Sequence, residues 1–147
     1  MTAGLKIVEP KSIEEFDSYF QLRWEILRKP WGQPKGSERD EFDSTGINRM
    51  VLDENGHSIG VGMLIINSVQ EAQIRFMAVS ENCQGMKVGT LLVDCLESIA
   101  CGQKCSQIIL QSRENAVKFY EKSGFKVIEK SYLLFGEIQH FLMQKNL

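Results

Sequence analysis

Residues 77 to 100 read MAVSENCQGMKVGTLLVDCLESIA. An apolar run, Met77-Ala78-Val79, gives way to a polar turn with glycines at 85 and 89, and then to Val88, Leu91, Leu92, Cys95, Leu96 and Ile99. Those positions fall at i, i+3, i+4, i+7, i+8 and i+11, one face of an amphipathic helix, and the pattern stops at Gly102. The stretch is therefore strand, glycine-bearing turn, helix. The first amides of such a helix lack an internal partner and its dipole favours negative charge, so the turn is a natural anion site with phosphate as the obvious guest. The known phosphate loops do not fit: one ends in GK[ST] and the other reads GxGxxG, and this turn supplies neither. Taken alone, GxxxG is a weak signal that an ordinary strand-to-helix connection would also show.

Outward from this point the chain keeps alternating between periods. Downstream, QIILQS (107–112) reads as a buried strand and RENAVKFYEKSGF (113–125) as a helix closed by Gly124. KVIEKSYLLF (126–135) and EIQHFLMQK (137–145) read as two strands around a turn at Gly136. Upstream, residues 48–80 read as three strands of an antiparallel meander, with turns at Glu54–His57 and Ser68–Glu71. Residues 29–47, KPWGQPKGSERDEFDSTGI, carry no period and form a long connector of the kind that is often functional. LKIVEP (5–10) reads as a short strand, and Ser12-Ile13-Glu14-Glu15 has the form of a capping box, so a helix is predicted to begin near Ile13 with Ile13, Phe16, Phe20, Trp24 and Leu27 facing the core. The resulting order is β-α-loop-βββ-α-β-α-ββ, a mixed α/β (α+β) layer arrangement.

With 147 residues, one domain spanning 1–147 is expected. A formal charge of −2 gives no electrostatic footprint for nucleic acid or anionic lipid. The four cysteines, Cys83, Cys95, Cys101 and Cys105, form no CxxC pair and only His57 and His140 could join them, so no metal site is expected. MTAGLKIVEP is too short and broken for a signal peptide, and no apolar run approaches the length of a membrane helix. A cytoplasmic protein with free thiols and no membrane partner is the expectation.

The succession of strand, Q-G-x-x-x-G turn, amphipathic helix, strand and ENAVKFYEKSGF resembles the GNAT superfamily of acyl-CoA-dependent N-acyltransferases, over nearly the whole chain. The resemblance implies a mixed, mostly antiparallel sheet flanked by helices. In that family the turn reads Q/R-x-x-G-x-G/A; Gln84, Gly85, Val88, Gly89 and Thr90 match, whereas Lys87 stands where glycine is usual. By resemblance, the backbone from Gln84 through Met86 and Lys87 to Thr90 would hold the coenzyme A pyrophosphate, and Met77, Ala78 and Val79 would lend backbone groups to the pantetheine arm. A second motif, A-x-x-[FL]-Y-x-x-x-G-F, is met by Ala116, Phe119, Tyr120, Gly124 and Phe125. The family's coenzyme-contacting asparagine is replaced by Arg113, with Asn115 displaced by two positions, and both are candidates for that contact. FQLRWEILRKPWGQPKG (20–36) is similar to the first helix of ElaA-like members, in which the following loop frames the acceptor site.

The activity so implied is direct acetyl transfer from acetyl-CoA to a primary amine of a small molecule or peptide, without a metal; a homodimer is compatible with it. Such transfer needs a neutral amine, a polarised carbonyl and a proton for the departing thiolate. Tyr120 is the candidate acid, because a phenol of pKa ~10 lies within about 1.5 units of a thiol near ~8.5; packing its ring is the alternative role. For the base, Glu71 stands only at the start of the strand before the turn. His140, of a residue type that titrates nearer neutrality, is the better candidate, though a lone strand histidine is more often structural. Cys83 has no visible base partner and reads as a bystander. The rival reading is a non-catalytic acyl-CoA-binding module, supported by the missing carboxylate base and by Lys87.

Overall fold

Ser12 opens the first helix, α1 (Ile13–Leu27), as its sequence predicts: its hydroxyl accepts from the Glu15 amide at 3.1 Å and the Glu15 carboxylate accepts from the Ser12 amide at 2.9 Å. The computed structural model describes residues 4–147. The core face of α1 is rotated from the predicted one. Tyr19, Phe20, Leu22, Arg23 and Leu27 are buried, whereas Ile13 is 79% exposed and Trp24 is half-buried, its indole N–H donating to the Gln33 carbonyl at 3.0 Å. Arg23, absent from the predicted core face, is fully buried.

The strands β1 (Lys6–Val8), β2 (Ile47–Leu52), β3 (Ser58–Ile66), β4 (Glu71–Val79), β5 (Gln107–Arg113), β6 (Lys126–Leu134) and β7 (Ile138–Asn146) form one seven-stranded sheet in the order β1-β2-β3-β4-β5-β7-β6. Every neighbouring pair is antiparallel except β4 and β5, and the chain crosses between those two through α2 (Val88–Gly102). The β6–β7 hairpin turns at Phe135–Glu137, so β7 lies against β5 and β6 becomes the edge. A short helix, α3 (Val117–Lys122), follows β5 and stops at Ser123–Gly124, where Gly124 takes φ +98°.

Alternation along the strands sends successive residues to opposite faces. Met50, Val61 and Ala78 pack under α1, while Val51 packs under α2 with Val88 and Leu92; Ile59, skipped where the β2–β3 register shifts between Val51–Gly60 and Leu52–Ser58, joins the α2 side. Two glycines of β3 let α2 lie close: a Cβ at Gly60 would stand 2.6 Å from Val88 Cγ1, and one at Gly62 would stand 3.2 Å from Leu96 Cδ1. The connector after α1 contains two short 3-10 turns, Lys29–Trp31 and Glu41–Ser44, the second capped by Asp40.

What positions the site is a break in the sheet. The β4–β5 ladder runs from Glu71–Gln107 only to Ile74–Leu110. There β4 bulges: Phe76 takes φ +53° and the register with β3 slips between Arg75 and Ala78. Beyond Ile74, β4 keeps its pairing with β3 and has none with β5, so its other edge is open.

Candidate active site

The gap between the parted strands is the mouth of a cavity of 650 Å³. Arg75, Phe76 and Met77 of β4 line one side and Leu110 to Arg113 of β5 the other; Tyr120 of α3, Tyr132 of β6 and His140 of β7 also line it, as do Arg28 at the end of α1 and Arg39 and Asp40 of the connector. Tyr120 and His140, distant in sequence, thus share one cavity.

Tyr120 is buried, with Phe119 and Phe125 edge-on to its ring at 5.0 and 5.9 Å. Burial pushes its pKa up and no charged neighbour offsets the effect. His140 is buried and stacked on Tyr132, with centroids 4.4 Å apart and planes inclined by 15°. Its Nδ1 lies 3.0 Å from the Ile138 carbonyl, which fixes the neutral tautomer with the proton on Nδ1 and the lone pair on Nε2. Burial lowers its pKa, the carbonyl of Ile138 raises it, and Arg113 and Arg28 lower it further; the net shift is downward.

The turn ahead of α2 lies outside this cavity. Gly85 takes φ +91° with open space where its side chain would be, so its backbone conformation is what calls for glycine there. Lys87 is the N-cap and also lies in the left-handed region, at φ +63° and ψ +20°, and its side chain provides no cap. The first helical hydrogen bond runs from Leu91 to the Lys87 carbonyl at 3.0 Å, leaving the amides of Val88, Gly89 and Thr90 without helical acceptors. Gly89 has a different reason to be glycine: a Cβ would approach Phe119 Cζ to 3.0 Å, so it is the point where α2 meets α3.

Among the other predicted residues, Met77 lines the cavity, while Ala78 packs beneath α1 and Val79 beside α2. Arg113 reaches back across the sheet and donates to the Leu27 carbonyl at 2.8 Å. Asn115 is exposed in the 3-10 turn Glu114–Ala116 and does not line the cavity. Glu71 is held by Gln107 and Asn67, at 2.7 and 2.9 Å, and does not reach the cavity.

Sequence reading missed the ionic frame of the connector. Arg23 is fully buried, pairs with Asp43 at 2.8 Å, donates to the Glu38 carbonyl at 3.1 Å and covers the Phe76 ring at 4.2 Å. Arg75 pairs with Asp40 at 2.7 Å. These contacts fasten the connector to the bulged strand. The density of charge in residues 37–43 was the only signal, and it does not name partners.

The model of the acetyltransferase (GNAT) family matches residues 16–125, a span that contains the parted strands, the turn and Tyr120. The chain belongs to the GNAT family. A relative, the uncharacterized N-acetyltransferase YjcF of Bacillus subtilis, is 26% identical over 142 residues, which cover 97% of this chain and 100% of YjcF. Escherichia coli ElaA superposes with a TM-score of 0.78 at 22% identity, covering 96% of this chain and 97% of ElaA. An aminoglycoside 6′-N-acetyltransferase in complex with coenzyme A superposes with a TM-score of 0.80 at 17% identity, covering 96% of each chain. These two structures share the fold with the chain, a mixed and mostly antiparallel sheet flanked by helices.

Proposed function

We propose that the protein moves an acetyl group from acetyl-CoA directly to a primary amine within the cavity between β4 and β5. The observation that carries this reading is the conjunction of an open β4 edge at Met77–Val79 with three uncapped amides at the head of α2. A ligand combining an amide-bearing arm with a diphosphate matches both: the edge offers strand-like hydrogen bonds, and the helix terminus offers amides and a favourable dipole. Gln84 to Thr90 would hold the diphosphate, with Lys87 adding positive charge, and exposed Asn115 remains on the coenzyme side. Arg113, tied to Leu27 and lining the cavity, would on this reading serve the acceptor rather than the coenzyme.

In the transfer a nitrogen–carbon bond forms, the carbon–sulfur bond breaks, and a protonated amine gives up two protons in all. His140 is suited to take one at Nε2, because its lowered pKa keeps it neutral at pH 7. The departing thiolate takes the other. With its pKa raised, Tyr120 is a weaker acid than a free phenol and keeps its proton; its part is to donate a hydrogen bond to sulfur as charge develops there, rather than to surrender its proton outright. This amends the expectation that its pKa needed no shift.

The test is a broad amine screen with acetyl-CoA, followed by release of the CoA thiol. Turnover with one or more amines, and loss of that turnover in Tyr120→Phe, is the expected outcome. Saturable acetyl-CoA binding with no thiol release for any amine would leave the binding-module reading instead.

A further inference from the structure

The cavity that faces the acceptor is lined by four arginines, Arg28, Arg39, Arg75 and Arg113, and by one carboxylate, Asp40. Two of the arginines are neutralised: Arg75 by Asp40 at 2.7 Å and Arg39 by Glu38 at 3.0 Å. Among the described residues, Arg28 and Arg113 have no carboxylate within ion-pair distance. Both crowd one carbonyl, that of Leu27 at the end of α1, with donor distances of 3.1 and 2.8 Å. Arg28 also donates to the Ser37 carbonyl at 3.1 Å. A helix C-terminus supplies roughly half a negative charge, against two guanidinium groups that cannot shed a proton. About one and a half positive charges are left over in a half-buried place, where they repel each other and cost free energy unless a ligand compensates. Burial and this mutual repulsion hold the Arg113 guanidinium below its usual pKa.

The coenzyme does not provide the missing anion in this arrangement, because the turn assigned to its phosphates lies outside the cavity and neither arginine contacts it. Resting on the acetyltransferase reading above, we propose that the acceptor is an amine that carries its own anionic group, a carboxylate or phosphate, seated by Arg28 and Arg113 while the amine faces His140. Planar guanidinium donors match either anion in a forked geometry, and their remaining N–H groups are without protein acceptors among the described residues. The same surplus disfavours a polycationic acceptor, since a second ammonium group would meet two unpaired guanidinium groups.

The acceptor need not be identified for the test. Protein saturated with CoA, which cannot react, is titrated by ligand-observed NMR with ω-amino carboxylates of two to six carbons, each beside its carboxamide and the diamine of equal length. Phosphoethanolamine beside ethanolamine forms the phosphate arm. At one chain length or in the phosphate arm, the anionic amine is expected to bind at least about tenfold tighter than its uncharged and dicationic partners, the size of one charge-assisted hydrogen bond. The preference is expected to shrink in Arg113→Gln and in Arg28→Gln, with thermal melts confirming that each variant is folded. Equal or weaker binding of every anionic amine, or no binding of any, overturns the inference. Saturation by CoA is checked first by calorimetry, so failure of the coenzyme reading would appear there, separately.

Discussion

Burying a phenol beside Phe119 and Phe125 with no ion to offset the loss of water makes Tyr120 a donor that stays protonated across the working range. Tyr120→Phe keeps the packed ring and removes only the O–H, so acetyl-CoA affinity is expected to change little while kcat falls about 10²-fold, the scale of one positioned donor. Unchanged kcat would release the hydroxyl from that role. His140 gives a pH signature of defined sign. Its folded pKa lies below the ordinary value of 6.5, so above that pH both folded and unfolded forms are neutral and its contribution is fully present. As pH falls through 6.5 toward the folded value the unfolded chain binds the proton first, and stability declines. His140→Gln is therefore expected to flatten the loss of stability measured by urea unfolding between pH 7.5 and 5. The same variant is expected to remove the acid limb of kcat/KM; a limb that persists would assign the base elsewhere. At this scale Tyr120 was legible because its motif fixes its place. Arg23 was not, because sequence periodicity counts every arginine as a surface residue and cannot see that Asp43, a tertiary partner, allows its burial.

The turn and helix that open α2 combine two separate reasons for small residues. Gly85 answers a backbone requirement and Gly89 a close contact with Phe119, a distinction that spacing alone did not reveal. Lys87 holds the left-handed conformation at an energy cost that glycine does not bear, about 1 kcal/mol or somewhat more for an L-residue. Lys87→Gly is accordingly expected to raise stability by up to about 1 kcal/mol, the gain being partly offset by the greater freedom of glycine in the unfolded chain. If the side chain also attracts phosphate, the variant will bind acetyl-CoA more weakly at low salt and equally at high salt. Melting and calorimetry at two ionic strengths check both parts, and a destabilised variant would show that the lysine makes contacts that outweigh its strain. The element order was readable from period and punctuation, and so was the capping box of α1. The rotation of α1 about its axis was not, since the exposure of Ile13 and the burial of Arg23 are decided by tertiary packing.

At the scale of the whole molecule, the proposed function rests on a sheet whose β4–β5 ladder ends at Ile74–Leu110. Seven strands and their sequence order were legible, but the placement of β7 between β5 and β6, which brings His140 to the cavity, depends on pairing between residues far apart in the chain. The bulge at Phe76 was equally hidden: nothing in the run of residues 71–79 marks it, and the ion pair of Arg75 with Asp40 beside it joins residues far apart in the chain. On the proposed reading one ligand takes both the edge of β4 and the head of α2, and coenzyme binding is the claim on which the transfer chemistry and the acceptor rest. Isothermal titration of the protein with acetyl-CoA, beside ATP as a phosphate-rich control, tests it most directly. Saturable heat with acetyl-CoA and markedly weaker heat with ATP is the predicted result; no heat with millimolar acetyl-CoA, or equal affinity for ATP, would contradict it.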